Sequence, residues 1–169
     1  MLLCLTLKVN ACADSIRQET TLKPYSIPLQ DNWLDHYGHL NEGYYLVAFS
    51  KATWPLQDCF GIGTEYFDRT GGALYTVESH IRYLQEVRAP ATLDINSLIL
   101  GSDEKRLRIA HIMTVDGIER ATFECLLLHF DTNIGKTAPM PGDIQAAFKG
   151  AEINPLPDWA GRSVSILKQ

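Results

Sequence analysis

The sequence predicts an α+β domain, a single unit in which one antiparallel sheet curls around one long helix. Two hydrophobic periods predict it. Between Asn41 and Gly61 apolar residues recur every three or four positions, whereas from Ala73 to Phe130 they alternate. The dipeptide Asp116-Gly117, set inside the alternating region, adds a two-residue hairpin signal.

Taken in order, Leu22–Leu29 reads as a first strand, restricted by Pro24 and Pro28 to a sheet edge or a short pairing. The helix then starts at Asn41, a good N-cap, and stops at Gly61. Tyr45, Phe49, Ala52 and Leu56 form its apolar face, and Pro55 should kink it or split off its last turn. A Gly-rich connection ends at Gly71-Gly72. In the strand that follows, Ala73, Tyr75, Val77, Ser79, Ile81 and Tyr83 are expected on one face, with Thr76, Glu78, His80 and Arg82 on the other. Leu93–Leu100, Leu107–Val115 and Ala121–Phe130 complete the meander, and a short helix is expected near Ile144–Lys149. The expected organisation is a loosely ordered leader over 1–20, the domain over 21–135 and a tail over 136–169. One helix covers one sheet face and leaves edges open, which predicts a homodimer or a dimer of dimers.

Composition limits the function classes. The chain has 169 residues, 46% of them hydrophobic and 21% charged, the balance of one globular domain. A net charge of −5 offers no basic surface for a nucleic-acid backbone, and no apolar run approaches a membrane span. The four cysteines have neither CxxC spacing nor metal-ligand partners, and Cys59 and Cys125 sit in apolar stretches, as small buried thiols do. His36 and His39 lack a third ligand, so no metal and no cofactor is expected. Met1–Leu7 is apolar and Ala11-Cys12-Ala13 has the form of a signal cleavage site. No positive charge precedes that run, however, and Lys8 cuts it short, so a cytoplasmic location is expected.

Asp35, Gly38, His39 and Asn41 cluster where the first strand gives way to the helix. A helix N-terminus presents unbonded N–H groups at the positive end of the helix dipole, suited to a developing oxyanion. Asp35, one turn upstream, is placed to act as a nucleophile or as a general base for water. The same residues also suit an ordinary N-cap loop, so spacing alone leaves both readings open.

Asp35-x-x-Gly38-His39-x-Asn41-x-x-x-Tyr45 resembles the active-site segment of hot-dog acyl-CoA thioesterases of the 4-hydroxybenzoyl-CoA type. Three later stretches, Tyr75–Leu84, Leu100–Leu107 and Leu127–Thr132, together with Ala160-Gly161-Arg162, resemble the thioesterases of bacterial carnitine degradation, which act on betainyl-CoA. The resemblance implies an acyl-CoA substrate and Asp35 as catalytic carboxylate. It also implies Glu42 N–H as the main carbonyl-polarising group, with His39 and Asn41 orienting the loop or the water. Glu42 and Glu78 remain rival carboxylates. Lys105, Arg106 and Arg108 would grip the CoA phosphates. A trimethylammonium acyl group needs aromatic faces and a negative charge. Trp33, Tyr37, Tyr44, Tyr45 and Trp54 are the candidates near the motif, with Glu78 and His80 on the first meander strand and Tyr75 and Tyr83 in reserve. Glu78 and His80 also suit a solvated or dimer-facing strip. A thioesterase for another short or aromatic acyl-CoA, or a non-catalytic acyl-CoA-binding module, would carry the same motif. A hydratase is disfavoured, because no Gly-Asp-x-Asn-Pro-like segment is present.

Overall fold

A computed structural model describes residues 22–164; the leader expected over 1–20 lies outside them. In chain order the elements are β1 (Tyr25–Pro28), a 3-10 turn (Asp31–Trp33), α1 (Glu42–Cys59), α2 (Thr64–Thr70), β2 (Gly72–Tyr83), β3 (Thr92–Ser102), β4 (Arg106–Val115), β5 (Ile118–Asp131), β6 (Lys136–Thr137) and α3 (Gly142–Ala151). The sheet is antiparallel throughout, in the order β1-β3-β4-β5-β2, with β6 added on β5. Asp116 (φ 52°) and Gly117 (φ 75°) make the left-handed pair that a two-residue hairpin requires.

Helix α1 packs into the concave face of this sheet. Tyr45, Ala48, Phe49, Ala52 and Leu56 are buried in one core with Ile109, Met113 and Phe123. Phe49 stacks on Phe123 at 5.1 Å between ring centroids. Each fully buried Leu, Ile, Met or Phe side chain here contributes about 1.5–3 kcal/mol through loss of apolar surface. Of the kink or split expected at Pro55, the split does not occur: the helix runs without a break through Pro55 to Cys59. Lys51 and Pro55 are both exposed, so the carbonyl that loses its donor at Pro55 can be satisfied by water.

A polar pin joins this helix to the sheet. His111, fully buried on β4, has Nε2 at 2.9 Å from Thr53 Oγ1 and Nδ1 at 2.9 Å from Ser97 Oγ. The Thr53 hydroxyl donates its one proton to Phe49 O at 3.0 Å, so its oxygen must accept from His111 Nε2–H. Nδ1 is then the acceptor for Ser97. A neutral ring satisfies the whole network, and burial pushes the His111 pKa down to about 3.

Three features differ from the sequence reading. The connection before Gly71 contains a helix, α2, too short for its periodicity to show; Tyr66 OH anchors it to buried His129 Nε2 at 3.0 Å. Strand β2 carries a bulge at Val77, because Thr76 pairs with Leu127 and Glu78 with Leu126. The extra residue reverses the faces: Leu74 and Thr76 join the side of Ser79, Ile81 and Tyr83, while Tyr75 turns outward with Glu78 and His80. Finally, Cys59 is half-buried and disulfide-bonded, whereas Cys125 is the buried free thiol, its pKa pushed up to about 12 by burial.

The tail helix α3 belongs to the same core, with Phe148 stacked on Phe60 at 4.4 Å. After it the chain binds the β3 edge through Ile153 N–H to Ile99 O, and Glu152 accepts from Ser102 N–H and Oγ. It then crosses to the outer face of the sheet, where Gly161 N–H donates to Glu124 Oε2 at 2.7 Å. No helix among the described residues is long and apolar enough to cross a membrane.

Candidate active site

The segment between the 3-10 turn and α1 is a tight loop closed on itself. Asp35 N–H donates to His39 O at 2.8 Å, and Gly38 N–H to Asp35 O at 3.0 Å. Gly38 lies at φ 77°, a conformation that strains any residue with a Cβ. Leu40 N–H donates to Val87 O, tying the loop to the segment after β2, and Asn41 N–H donates to Trp33 O in the 3-10 turn. Within it, Asp35 Oδ1 accepts from Tyr37 N–H at 2.8 Å and His39 N–H at 3.0 Å. The His39 amide holds the Asp35 carboxyl below its ordinary pKa, partly offset by desolvation, and the Tyr37 amide adds to the effect. Asp35 is therefore a carboxylate at neutral pH, with one oxygen anchored and Oδ2 free of protein donors among the described residues.

At the start of α1 the backbone donors divide cleanly. Asn41 Oδ1 accepts from Gly43 N–H at 3.0 Å, as an N-cap does, and Tyr44 N–H donates to Asn41 O at 2.9 Å. Glu42 N–H is left without an acceptor among the described residues. An unspent amide at a helix N-terminus beside a fixed carboxylate is the arrangement that acyl transfer uses.

Both groups open onto a cleft of about 520 Å³, lined by Asp35, His39, Leu40, Glu42 and Tyr45 from the motif and helix, and by Tyr83, Leu84, Gln85 and Glu86 from the end of β2. The Tyr45 and Tyr83 rings meet edge to face at 5.1 Å, and Tyr83 OH donates to Glu42 O at 3.4 Å. Desolvation raises both phenol pKa values above the usual 10, so the rings are neutral hydrogen-bonding surfaces. Glu86 Oε1 accepts from Arg88 Nε at 3.0 Å, and Oε2 lies 3.0 Å from His39 Nε2. That second contact is close enough for charge attraction if the ring is protonated, yet it lacks hydrogen-bond alignment. Arg88 first, then His39 and Arg120, hold the Glu86 carboxyl below its ordinary pKa against a desolvation penalty.

The candidates named from sequence are thus sorted by the fold. Asp35, His39, Glu42 and Tyr45 line the cleft, and Asn41 caps the helix beside it. Trp33 is buried and stacks on Tyr44 at 5.6 Å, behind the cleft wall. Tyr37 is 69% exposed against His36. Glu78, His80 and Arg108 line a different cavity on the outer face of the sheet. Lys105 and Arg106 sit at the far turn of the meander; Arg106 pairs with Asp103 and holds that carboxyl down at about 2. Glu86 and Gln85 were missed. They carry no motif; the pairing of His39 with Arg88 and the bond from Leu40 N–H to Val87 O bring their segment to the site.

Helix, curled sheet and N-terminal carboxylate together define a hot-dog thioesterase-type protein. The chain belongs to the thioesterase-like superfamily, whose pattern it matches over residues 29–148. It is 33% identical to a protein of Pseudomonas aeruginosa named betainyl-CoA thioesterase, over 86% of this chain and 95% of that one. It is 36% identical to a protein of Agrobacterium fabrum named L-carnitine dehydrogenase/betainyl-CoA thioesterase, over 90% of this chain. The match spans only 32% of that two-activity relative. Among solved structures, a Staphylococcus aureus protein determined in complex with CoA superposes with a TM-score of 0.78 at 18% identity, covering 89% of this chain and all of that one.

Proposed function

We propose that this protein hydrolyses betainyl-CoA to glycine betaine and CoA, as a cytoplasmic step of carnitine catabolism. The observation that carries the reading is Asp35 Oδ2, open beside the unspent Glu42 N–H in one cleft. In this reading Glu42 N–H polarises the thioester carbonyl, Asp35 attacks it or activates the attacking water, and His39 keeps the loop in place. The relatives named betainyl-CoA thioesterase support the substrate. So does the lining: the trimethylammonium group would meet the faces of Tyr45 and Tyr83, with the carboxylates of Asp35, Glu42 and Glu86 around it.

The protein acts as a homodimer in this proposal, alone or paired again. Strand β2 ends the sheet, runs for 12 residues and leaves Tyr75 and Val77 exposed, so a second copy can continue the sheet there. A monomer in sedimentation at micromolar concentration would refute this arrangement.

The substrate is tested by thiol release. Cation–π contacts contribute about 0.5–2 kcal/mol each. Two tyrosines plus a negative cleft should therefore favour betainyl-CoA over neutral 3,3-dimethylbutyryl-CoA by roughly tenfold to a few hundredfold in kcat/KM. Equal values would move the function to neutral short acyl-CoAs, and no release from any acyl-CoA would leave a binding module.

A further inference from the structure

We propose that the C-terminal segment crossing the outer sheet face builds a phosphate-recognition pocket, with Arg162, Arg108 and His80 as its donors, for the nucleotide half of the CoA thioester. The inference rests on the thioesterase reading and adds a binding site to it.

The segment closes a cavity of about 370 Å³ against β2, β4 and β5, lined by Glu78, His80, Arg108, Glu124 and Arg162. Glu124 assembles it. Its Oε1 lies 2.6 Å from both Nε and Nη2 of Arg108, and its Oε2 accepts from Gly161 N–H at 2.7 Å. Gly161 adopts φ 78°, and a Cβ there would come within 3.2 Å of Arg108 Nη2, so the close crossing depends on glycine. One carboxylate thus seats the segment and orients Arg108, spending its own charge on both.

The remaining polar side chains are unspent. Among the described residues, neither Arg162 nor His80 has an ion pair or a side-chain hydrogen bond, and Glu78 is the one opposing charge left unpaired in the cavity. An arginine fork with a neighbouring guanidinium and imidazole suits a phosphate, which accepts several charge-assisted hydrogen bonds.

The position matches a substrate in two parts. His80 pairs with Glu124 on the outer face, whereas Tyr83, three residues on, lines the catalytic cleft on the inner face. Three residues of strand span about 10 Å. A thioester carbonyl in the cleft and phosphates in the outer cavity would be joined by the extended pantetheine arm, passing around the end of β2.

The test compares an acyl-CoA with the same acyl group on pantetheine, which lacks phosphates. R162A should lower kcat/KM for the CoA thioester by about tenfold or more, the loss of one charge-assisted contact, with a loss at least fivefold smaller on acyl-pantetheine. E78Q, which removes the opposing charge, should raise kcat/KM for the CoA thioester alone. Equal effects on both substrates, or none, overturn the proposal. Calorimetry with free CoA and 3′-dephospho-CoA supplies a readout independent of turnover. R162A should weaken CoA binding, and it does so for both ligands if the diphosphate is held, or for CoA alone if the 3′-phosphate is. Unchanged CoA affinity refutes the pocket even where thiol release is intact. Arg162-dependent CoA binding without thiol release refutes the hydrolase and keeps the pocket.

Discussion

Acid should weaken this fold through one histidine. His111 is neutral in the native state because its two ring nitrogens are matched to Thr53 and Ser97 and no water reaches it. Its folded pKa is about 3, against 6.5 for the free side chain. A depressed folded value means that the unfolded chain binds the proton first. Stability is therefore full above about pH 6.5 and is lost as pH falls toward 3. Between pH 7 and pH 4.5 the loss depends almost wholly on the unfolded pKa, since the folded one lies below that window. Two units at 1.36 kcal/mol each give about 3 kcal/mol, a large part of a domain's net stability. The carboxylates with lowered pKa values, Asp35, Glu86, Asp103 and Glu152, lose their contributions only below about pH 4.5, so they fall outside it. Urea denaturation at fixed protein concentration, followed from pH 8 to pH 4.5 for the wild type and H111Q, measures the effect. The variant should be less stable at pH 7 and nearly flat with pH. A flat wild-type curve, or the same slope in H111Q, would refute the neutral-histidine account.

Asp35→Asn should lower turnover by about a hundredfold or more with the fold unchanged, because the side chain keeps an oxygen for the two loop amides while losing the reactive carboxylate; near-normal kcat would transfer the role to Glu42. Tyr83→Leu should reduce kcat/KM for betainyl-CoA more than for 3,3-dimethylbutyryl-CoA, and an equal loss on both would make the ring a packing element. Gly72→Ala should destabilise the protein by about 1–3 kcal/mol in thermal or urea unfolding. The new Cβ would stand 2.6 Å from Tyr66 Cε1 and 2.9 Å from His129 Nε2, forcing apart the bond that anchors α2; an unaltered midpoint would contradict that packing.

Local chemistry determined much of this protein in advance. The N-cap at Asn41, the stop at Gly61, the Asp116-Gly117 turn and the alternation of β4 and β5 are each set by a few neighbouring residues, so the helix and the meander were legible. The Asp35 turn was legible for the same reason: the hydrogen bonds that Asp35 makes with Tyr37, Gly38 and His39 close within five residues. What tertiary structure decided depends on contacts between distant segments. A bulge at Val77, visible only through the register of β2 on β5, reversed half of that strand and set Tyr75 on the outer face, apart from Tyr83. Pairing of His39 with Arg88 brought Glu86 to the cleft, and the grip of Glu124 on Gly161 drew the tail over His80 and Arg108. Periodicity can assign a side chain to a face. It cannot count an extra residue in a ladder or tell which distant segment will come to lie beside it, because those outcomes minimise the free energy of the whole chain rather than of any one stretch.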